Sequence, residues 1–290
     1  MTVPADPEYE TSEPVLYEVR GAVAIVTMNR PCYHNAQNNQ LTYALDDALM
    51  RAVNEDDVRA ILVCGAGKNF SAGHDLGSPG RDAHVSRPDR RMPWWDGVGK
   101  DGAEGQFVRE QEVYLGMCRR WREIPKPTVA VVQGACIGGG LMLAWVCDFI
   151  VASEDAYFME PALAMGVPGV EYFAHAFEMA PRLAREFLML GEKMSAARAY
   201  ELQMINRVVP REVLLDEALA IGERLATRSR FSLALAKQLL NFVDDLRGKR
   251  SAMDGAFAFH HLGHAHNQLL GGSIIGEQTR QSMRDGNAEK

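Results

Sequence analysis

No run of about 18 or more apolar residues occurs in this chain, so no segment is expected to cross a membrane as a helix. No secretory leader is expected either. The start, MTVPADPEYETSEP, is acidic and proline-containing, with neither a basic opening nor an apolar stretch, and residues 1–13 read as a frayed tail. Basic residues are in the minority, 31 Lys and Arg against 38 Asp and Glu, for a net charge of −7. Such a balance is poorly suited to nucleic acid or an anionic membrane, and neither partner is expected. The basic cluster Arg81, Arg87, Arg90 and Arg91 suits a small phosphorylated ligand better than a duplex. C-x-x-C is absent and the five cysteines are odd in number, which argues against a disulfide frame or a zinc site. Cys64, Cys136 and Cys147 lie in apolar runs and read as small buried hydrophobes, so a cytoplasmic, reducing compartment is expected.

What is present is the balance of a folded domain, 47% apolar and 24% charged residues. VLYEVRGAVAIVTMN over 15–29 predicts a β-hairpin broken at Arg20-Gly21. Leu41, Ala44, Leu45, Ala48, Leu49, Ala52 and Val53 recur at helical spacing over about 38–53. Buried strands are expected at Val58 to Cys64 and in TVAVVQG, with shorter ones in FIVAS, AYFM and near Val208-Val209. Residues 81–104 lack any period and read as a surface insertion carrying Trp94-Trp95, which suits either cover for a ligand or packing within the loop. Phe107 to Trp121 reads as a helix stopped by Ile124-Pro125-Lys126-Pro127, and 181–275 is mostly helical. Leu233, Leu235, Leu239, Leu240 and Phe242 are expected in its core. Alternating strands and helices followed by a helical end predict an α/β fold with a largely parallel sheet.

Common chemical signatures fail. Gly67-Lys68 lacks the first glycine and the Ser/Thr of a phosphate loop. Gly138-Gly139-Gly140 leads to Leu143 where a dinucleotide fingerprint needs glycine. Ser71 lacks the glycine that opens a nucleophile elbow. Two glycine loops remain, Ser71–Asp75 and Gly138–Gly140, each following a buried strand. Their backbone N–H groups could meet at one oxyanion, or the loops could merely pack closely.

Asn29-Arg30-Pro31 with Asn35-Ala36, Asn69-Phe70-Ser71-Ala72-Gly73-His74-Asp75-Leu76, Gly134-Ala135-Cys136-Ile137-Gly138-Gly139-Gly140, Cys147-Asp148, and Pro161, Gly166 and Pro168-Gly169 follow one another in order. Together they resemble the enoyl-CoA hydratase/isomerase (crotonase) superfamily, over residues 14–275. The resemblance implies a ClpP-like spiral of ββα units over 14–208, then a helical region over 209–290 that mediates trimerisation, as a homotrimer or dimer of trimers. It implies an acyl-CoA thioester substrate, with coenzyme A entering as part of that substrate and no separate cofactor or metal. The thioester oxygen would lie between the N–H groups of His74 and Gly139, where losing one donor typically costs about 2.7–4 kcal/mol. Arg30, His34, Ala36, Ala72, Gly73, Asp75, Leu76 and Gly138 would line the substrate groove.

The sequence departs from that family where hydratases carry two glutamates: Met142 and Ala162 stand at those positions and would border the acyl group. Glu160 reads as an exposed charge at a strand end, or a carboxylate reaching the same cavity. Glu171, His175 and Glu178 fall on one face of a helix expected after Pro168-Gly169. Glu171 is the candidate acid/base, its pKa raised by an apolar pocket, with His175 beside it; the other reading is a solvated polar face. His74 is expected to contribute its N–H, and Asp75 to cap the local turn. His260, His261, His264 and His266 read as an interface or core-edge cluster, since no carboxylate lies nearby in sequence. The activity implied is nominally that of an enoyl-CoA hydratase, with isomerase or lyase chemistry fitting the missing glutamates. The alternative is a non-catalytic acyl-CoA-binding or scaffold protein; RNA binding is a third reading that the charge opposes.

Overall fold

The computed structural model describes residues 13–78, 94–97 and 99–276. The expected tail apart from Glu13, the arginine cluster and most of the 81–104 insertion lie outside the described residues. Strands β1 (Val15–Arg20) and β2 (Val23–Met28) form the hairpin, turning at Gly21, and helix α1 (Asn39–Asn54) follows. Asn38 caps that helix, its side chain accepting from the Leu41 N–H. Strand β3 (Ala60–Gly65) pairs parallel with β2.

A long helical stretch comes next: α2 (Gly102–Glu110), a π-helical turn (Gln111–Gly116) and α3 (Met117–Arg122). The wider π turn shifts the side chains around Glu110 and Tyr114 out of α-helical register, a distortion common at functional sites. Two strand pairs then alternate with short helices: β4 (Thr128–Val132), β5 (Ala135–Ile137) and α4 (Gly139–Trp145), then β6 (Phe149–Ser153), β7 (Tyr157–Met159) and a 3-10 turn (Ala162–Met165). Like strands pair in parallel, β4 with β6 and β5 with β7, so consecutive ββα units stack in two layers. Helices α5 (His175–Glu178) and α6 (Pro181–Leu190), strand β8 (Met194–Ser195), helix α7 (Ala196–Glu201) and strand β9 (Arg207–Val209) complete this part. The large sheet runs β1-β2-β3-β4-β6-β9, parallel except for the hairpin, and the small one β5-β7-β8.

Helices α8 (Leu214–Ala226), α9 (Arg230–Leu246) and α10 (Lys249–Gly271) form the end. Leu214 and Ala218 of α8 pack on Val23, Leu62, Val129 and Val151 of the large sheet, while α1 and α4 cover its other face. Asp148 pins the start of β4 by accepting from the Thr128 N–H and hydroxyl, and Lys237 of α9 neutralises it at 2.8 Å.

Two expectations are corrected. No helix begins after Pro168-Gly169: residues 168–174 are bends and coil, and only the single turn His175–Glu178 follows, so Glu171, His175 and Glu178 do not share a helical face. The proline and the positive φ of Gly169, 152°, break the register. Leu235, Leu239, Leu240 and Phe242 are exposed rather than core, because α9 meets the rest of the chain through Lys237 and Asn241 instead. Among the described residues no helix is long and apolar enough to cross a membrane.

Candidate active site

The two glycine loops lie side by side. Asn35, itself left-handed at φ 55°, anchors the first: its Nδ2 donates to the carbonyls of Ala66, Asn69 and Phe70, and Ser71 Oγ donates to its carbonyl. Ser71 pairs with Cys136, and His74 with Gln37, in isolated parallel bridges. Gly73 has φ 88°, and a Cβ there would stand 2.6 Å from the Ile137 carbonyl and 2.9 Å from the Gly139 nitrogen. A Cβ on Gly140 would meet the Ser71 carbonyl at 2.5 Å. Side chains at either position would push the loops apart, so glycine is what lets the peptide that ends at His74 lie against the one that ends at Gly139.

Arg30 and Asp75 clasp the outer edge of the first loop at 3.0 Å. Asp75 also accepts from the N–H groups of Gly77 and Ser78 and from the Ser78 hydroxyl, which makes it a turn cap as well as an ion-pair partner. Burial alone would raise its pKa, but the Ser78 and Arg30 hydrogen bonds prevail and hold it below the usual aspartate value.

A cavity of about 170 Å³ opens over both loops. Of the residues assigned to the site from sequence, Ala72, Gly73, His74, Asp75, Leu76, Gly138, Gly139, Ala162 and Glu171 line it. Arg30, His34 and Ala36 do not. Arg30 donates to the Ala36 carbonyl and to Asp75, and His34 Nδ1 meets the Asn69 side chain. Met142 is also displaced from the site: it is fully buried in the hydrophobic core, on the inner face of the first turn of α4. His175 likewise lies outside the cavity. Its Nε2 sits 3.2 Å from Glu160 and its ring packs edge-on against Trp145. Glu160 in turn is 1% exposed, lines the cavity and accepts from the Ala162 N–H, so it is no exposed strand-end charge.

Glu171 is 2% exposed, with one oxygen 3.2 Å from His74 Nε2 and the other 3.6 Å from His260 Nε2. The His74 ring stands edge-on against Tyr114. The expected rise in the Glu171 pKa is reversed. Burial pushes upward, yet the two imidazoles outweigh it and hold the carboxyl well below the usual range. Against its own burial, His260 is pulled up to about 9 by Glu171 and Glu110.

Glu110, Tyr114, His260 and His264 also line the cavity, and sequence reasoning missed that role for all of them. Glu110 Oε2 faces His260 Nε2 at 3.5 Å, His261 Nε2 at 3.3 Å and His264 Nε2 at 3.7 Å. The histidine run does have carboxylate neighbours. They come from α2 and from the 168–174 segment, about 90 to 150 positions away in the chain, and local spacing carries no trace of that. Burial lowers His261 to about 4.

Residues 18–90 and 100–268 match the family model described as enoyl-CoA hydratase/isomerase. EchA13 of Mycobacterium tuberculosis, provisionally named an enoyl-CoA hydratase, is 37% identical over 264 residues, covering 88% of this chain and 81% of that protein. The 1,2-epoxyphenylacetyl-CoA isomerase of Escherichia coli is 30% identical over 235 residues, 79% of this chain and 82% of the isomerase. The crystal structure of a probable enoyl-CoA hydratase from Mycobacterium smegmatis superposes with a TM-score of 0.80 at 38% identity, covering 90% of this chain and 98% of that one.

Proposed function

Because the chain belongs to the enoyl-CoA hydratase/isomerase family, sharing its α/β crotonase fold and helical C-terminal region, we propose that it processes an acyl-CoA thioester through an enolate. In this reading the thioester oxygen accepts hydrogen bonds from the N–H groups of His74 and Gly139. Negative charge grows on that oxygen as a proton leaves the α- or γ-carbon, and donors already in place stabilise it without reorganising. Glu171, kept ionised by its imidazole neighbours, takes the proton. Returning it at a different carbon isomerises a double bond; expelling a group from the β-carbon completes a lyase step. Either course conserves atoms and electrons without a redox partner.

The observation that carries this reading is the contact of Gly73 with Gly139 beneath a cavity walled by Glu171. Met142 and Ala162 cannot exchange protons, which favours isomerase or lyase chemistry over conventional hydration, and the similarity to an epoxyphenylacetyl-CoA isomerase points the same way. The deciding experiment runs a panel of acyl-CoA thioesters, crotonyl-CoA among them. Turnover of some member, falling at least about 100-fold in Glu171→Gln with thioester binding retained, is expected. Binding of thioesters with no turnover of any would instead favour a scaffold.

A further inference from the structure

Two histidines in the cavity wall have their tautomers fixed by the backbone. His260 Nδ1 lies 2.7 Å from the Gly169 carbonyl, and His264 Nδ1 lies 2.9 Å from the Ile274 carbonyl. A carbonyl only accepts, so each Nδ1 carries a hydrogen, and Nε2 is left as the ring atom that either holds a second proton or offers a lone pair. Both Nε2 atoms face Glu110 Oε2, at 3.5 and 3.7 Å, and that of His260 also faces Glu171 at 3.6 Å. Glu110 is 3% and His260 4% exposed, and Glu110 Oε2, His260 Nε2 and His261 Nε2 are buried without a hydrogen bond among the described residues. Such a cluster is stable only with positive charge among its acceptors, supplied either by a proton on an imidazole or by a metal ion that takes its place.

Their spacing fits a metal ion. Glu110 Oε2, His260 Nε2 and His264 Nε2 all lie within 4.8 Å of one another, with the two carboxylate edges at 3.5 and 3.7 Å. Ligands about 2.0–2.1 Å from a tetrahedral ion stand roughly 3.3 Å apart, so the two Glu110 edges already lie within a few tenths of an ångström of that spacing, and side-chain rotation would close the histidine edge. The supporting contacts also match. Ligating histidines generally donate their other ring N–H to a carbonyl or carboxylate, as both do here. The second Glu110 oxygen accepts from Gln106 Nε2 at 2.6 Å, which orients the carboxylate. His260 and His264 lie one turn apart on α10, so one helix sets both.

We infer that Glu110, His260 and His264 form a binding site for a divalent first-row transition metal, with its remaining position open to the cavity. Two imidazoles and one carboxylate suit zinc, cobalt or iron rather than magnesium or calcium, which prefer oxygen ligands. Three protein ligands with an open position are the arrangement of a reactive site rather than of a closed structural one. The inference stands on the side-chain geometry alone and does not depend on the thioester reading.

The test uses the full chain, stripped with chelator and titrated with Zn²⁺ by calorimetry and with Co²⁺ by visible absorption. One ion per chain is expected, with a Kd below about 10 μM, intense four-coordinate cobalt bands and a metal-dependent rise in melting temperature. Glu110→Gln and His264→Asn should each weaken binding at least about 10-fold while keeping the circular-dichroism spectrum, whereas His266→Ala, at an exposed histidine of the same helix, should bind like the parent. Should one variant misfold, the other carries the comparison. Wild-type binding weaker than about 100 μM would overturn the assignment, as would binding lost in His266→Ala and retained in both ligand variants. A proton rather than a metal would then hold the cluster together.

Discussion

A carboxylate wedged between two imidazoles stays ionised, which fits Glu171 for accepting a proton. The Glu171→Gln comparison therefore reads chemistry more than affinity. Asp75 shows the same physics in a structural setting. Its folded pKa lies below that of the unfolded chain, about 3.9, so its stabilisation is complete above roughly pH 4 and vanishes as pH falls through the folded value. Asp75→Asn should be less stable than the parent at pH 7 by about 1 kcal/mol, a modest loss for a partly accessible clasp. Denaturant titrations along a pH series should show that gap closing on acidification; a gap that widens would exclude the ion pair as its source. The sequence readily offered Asp75 as a cap and Glu171 as an acid/base candidate, because both depend on near neighbours or on a family position. It gave no hint of the Glu171 imidazole partners or of the buried Glu160–His175 pair, since those contacts join segments that meet only after folding.

Among the elements, periodic and punctuated ones were the easiest to read. The 15–29 hairpin, α1 and the short parallel strands follow from apolar spacing and turn residues. Two elements misled for opposite reasons. The 168–174 segment has helical spacing, yet Pro168-Gly169 and the buried destinations of Glu171 and Tyr172 keep it irregular. The α9 helix has an apolar stripe that a single chain leaves exposed. Between elements, the contact of the two glycine loops is the most exacting feature. Gly73→Ala must accept both a left-handed backbone and a methyl group 2.6 Å from the Ile137 carbonyl. A loss of about 2 kcal/mol in stability is expected, with activity falling further than stability because the His74 amide moves away. Thermal unfolding and turnover measured together check this; unchanged turnover would show that the placement of the loop is not critical.

At the scale of the whole molecule, α9 and α10 display Phe231, Leu235, Leu239, Leu240, Phe259 and Leu262 to solvent, large apolar side chains that a partner surface would cover. Association through these helices is our proposal, a trimer or a pair of trimers being what the family resemblance implies. Replacing Leu239 and Leu240 together by Glu should reduce the mass seen by light scattering toward the 32.1 kDa of one chain, and an unchanged larger mass would place the interface elsewhere. The proposed chemistry rests on one carbonyl held by two main-chain amides. A crystal structure of Glu171→Gln with an acyl-CoA thioester bound measures this directly. The thioester oxygen is predicted within about 2.7–3.1 Å of both the His74 and the Gly139 nitrogens. An oxygen that touches neither, in a fully occupied cavity, would contradict it.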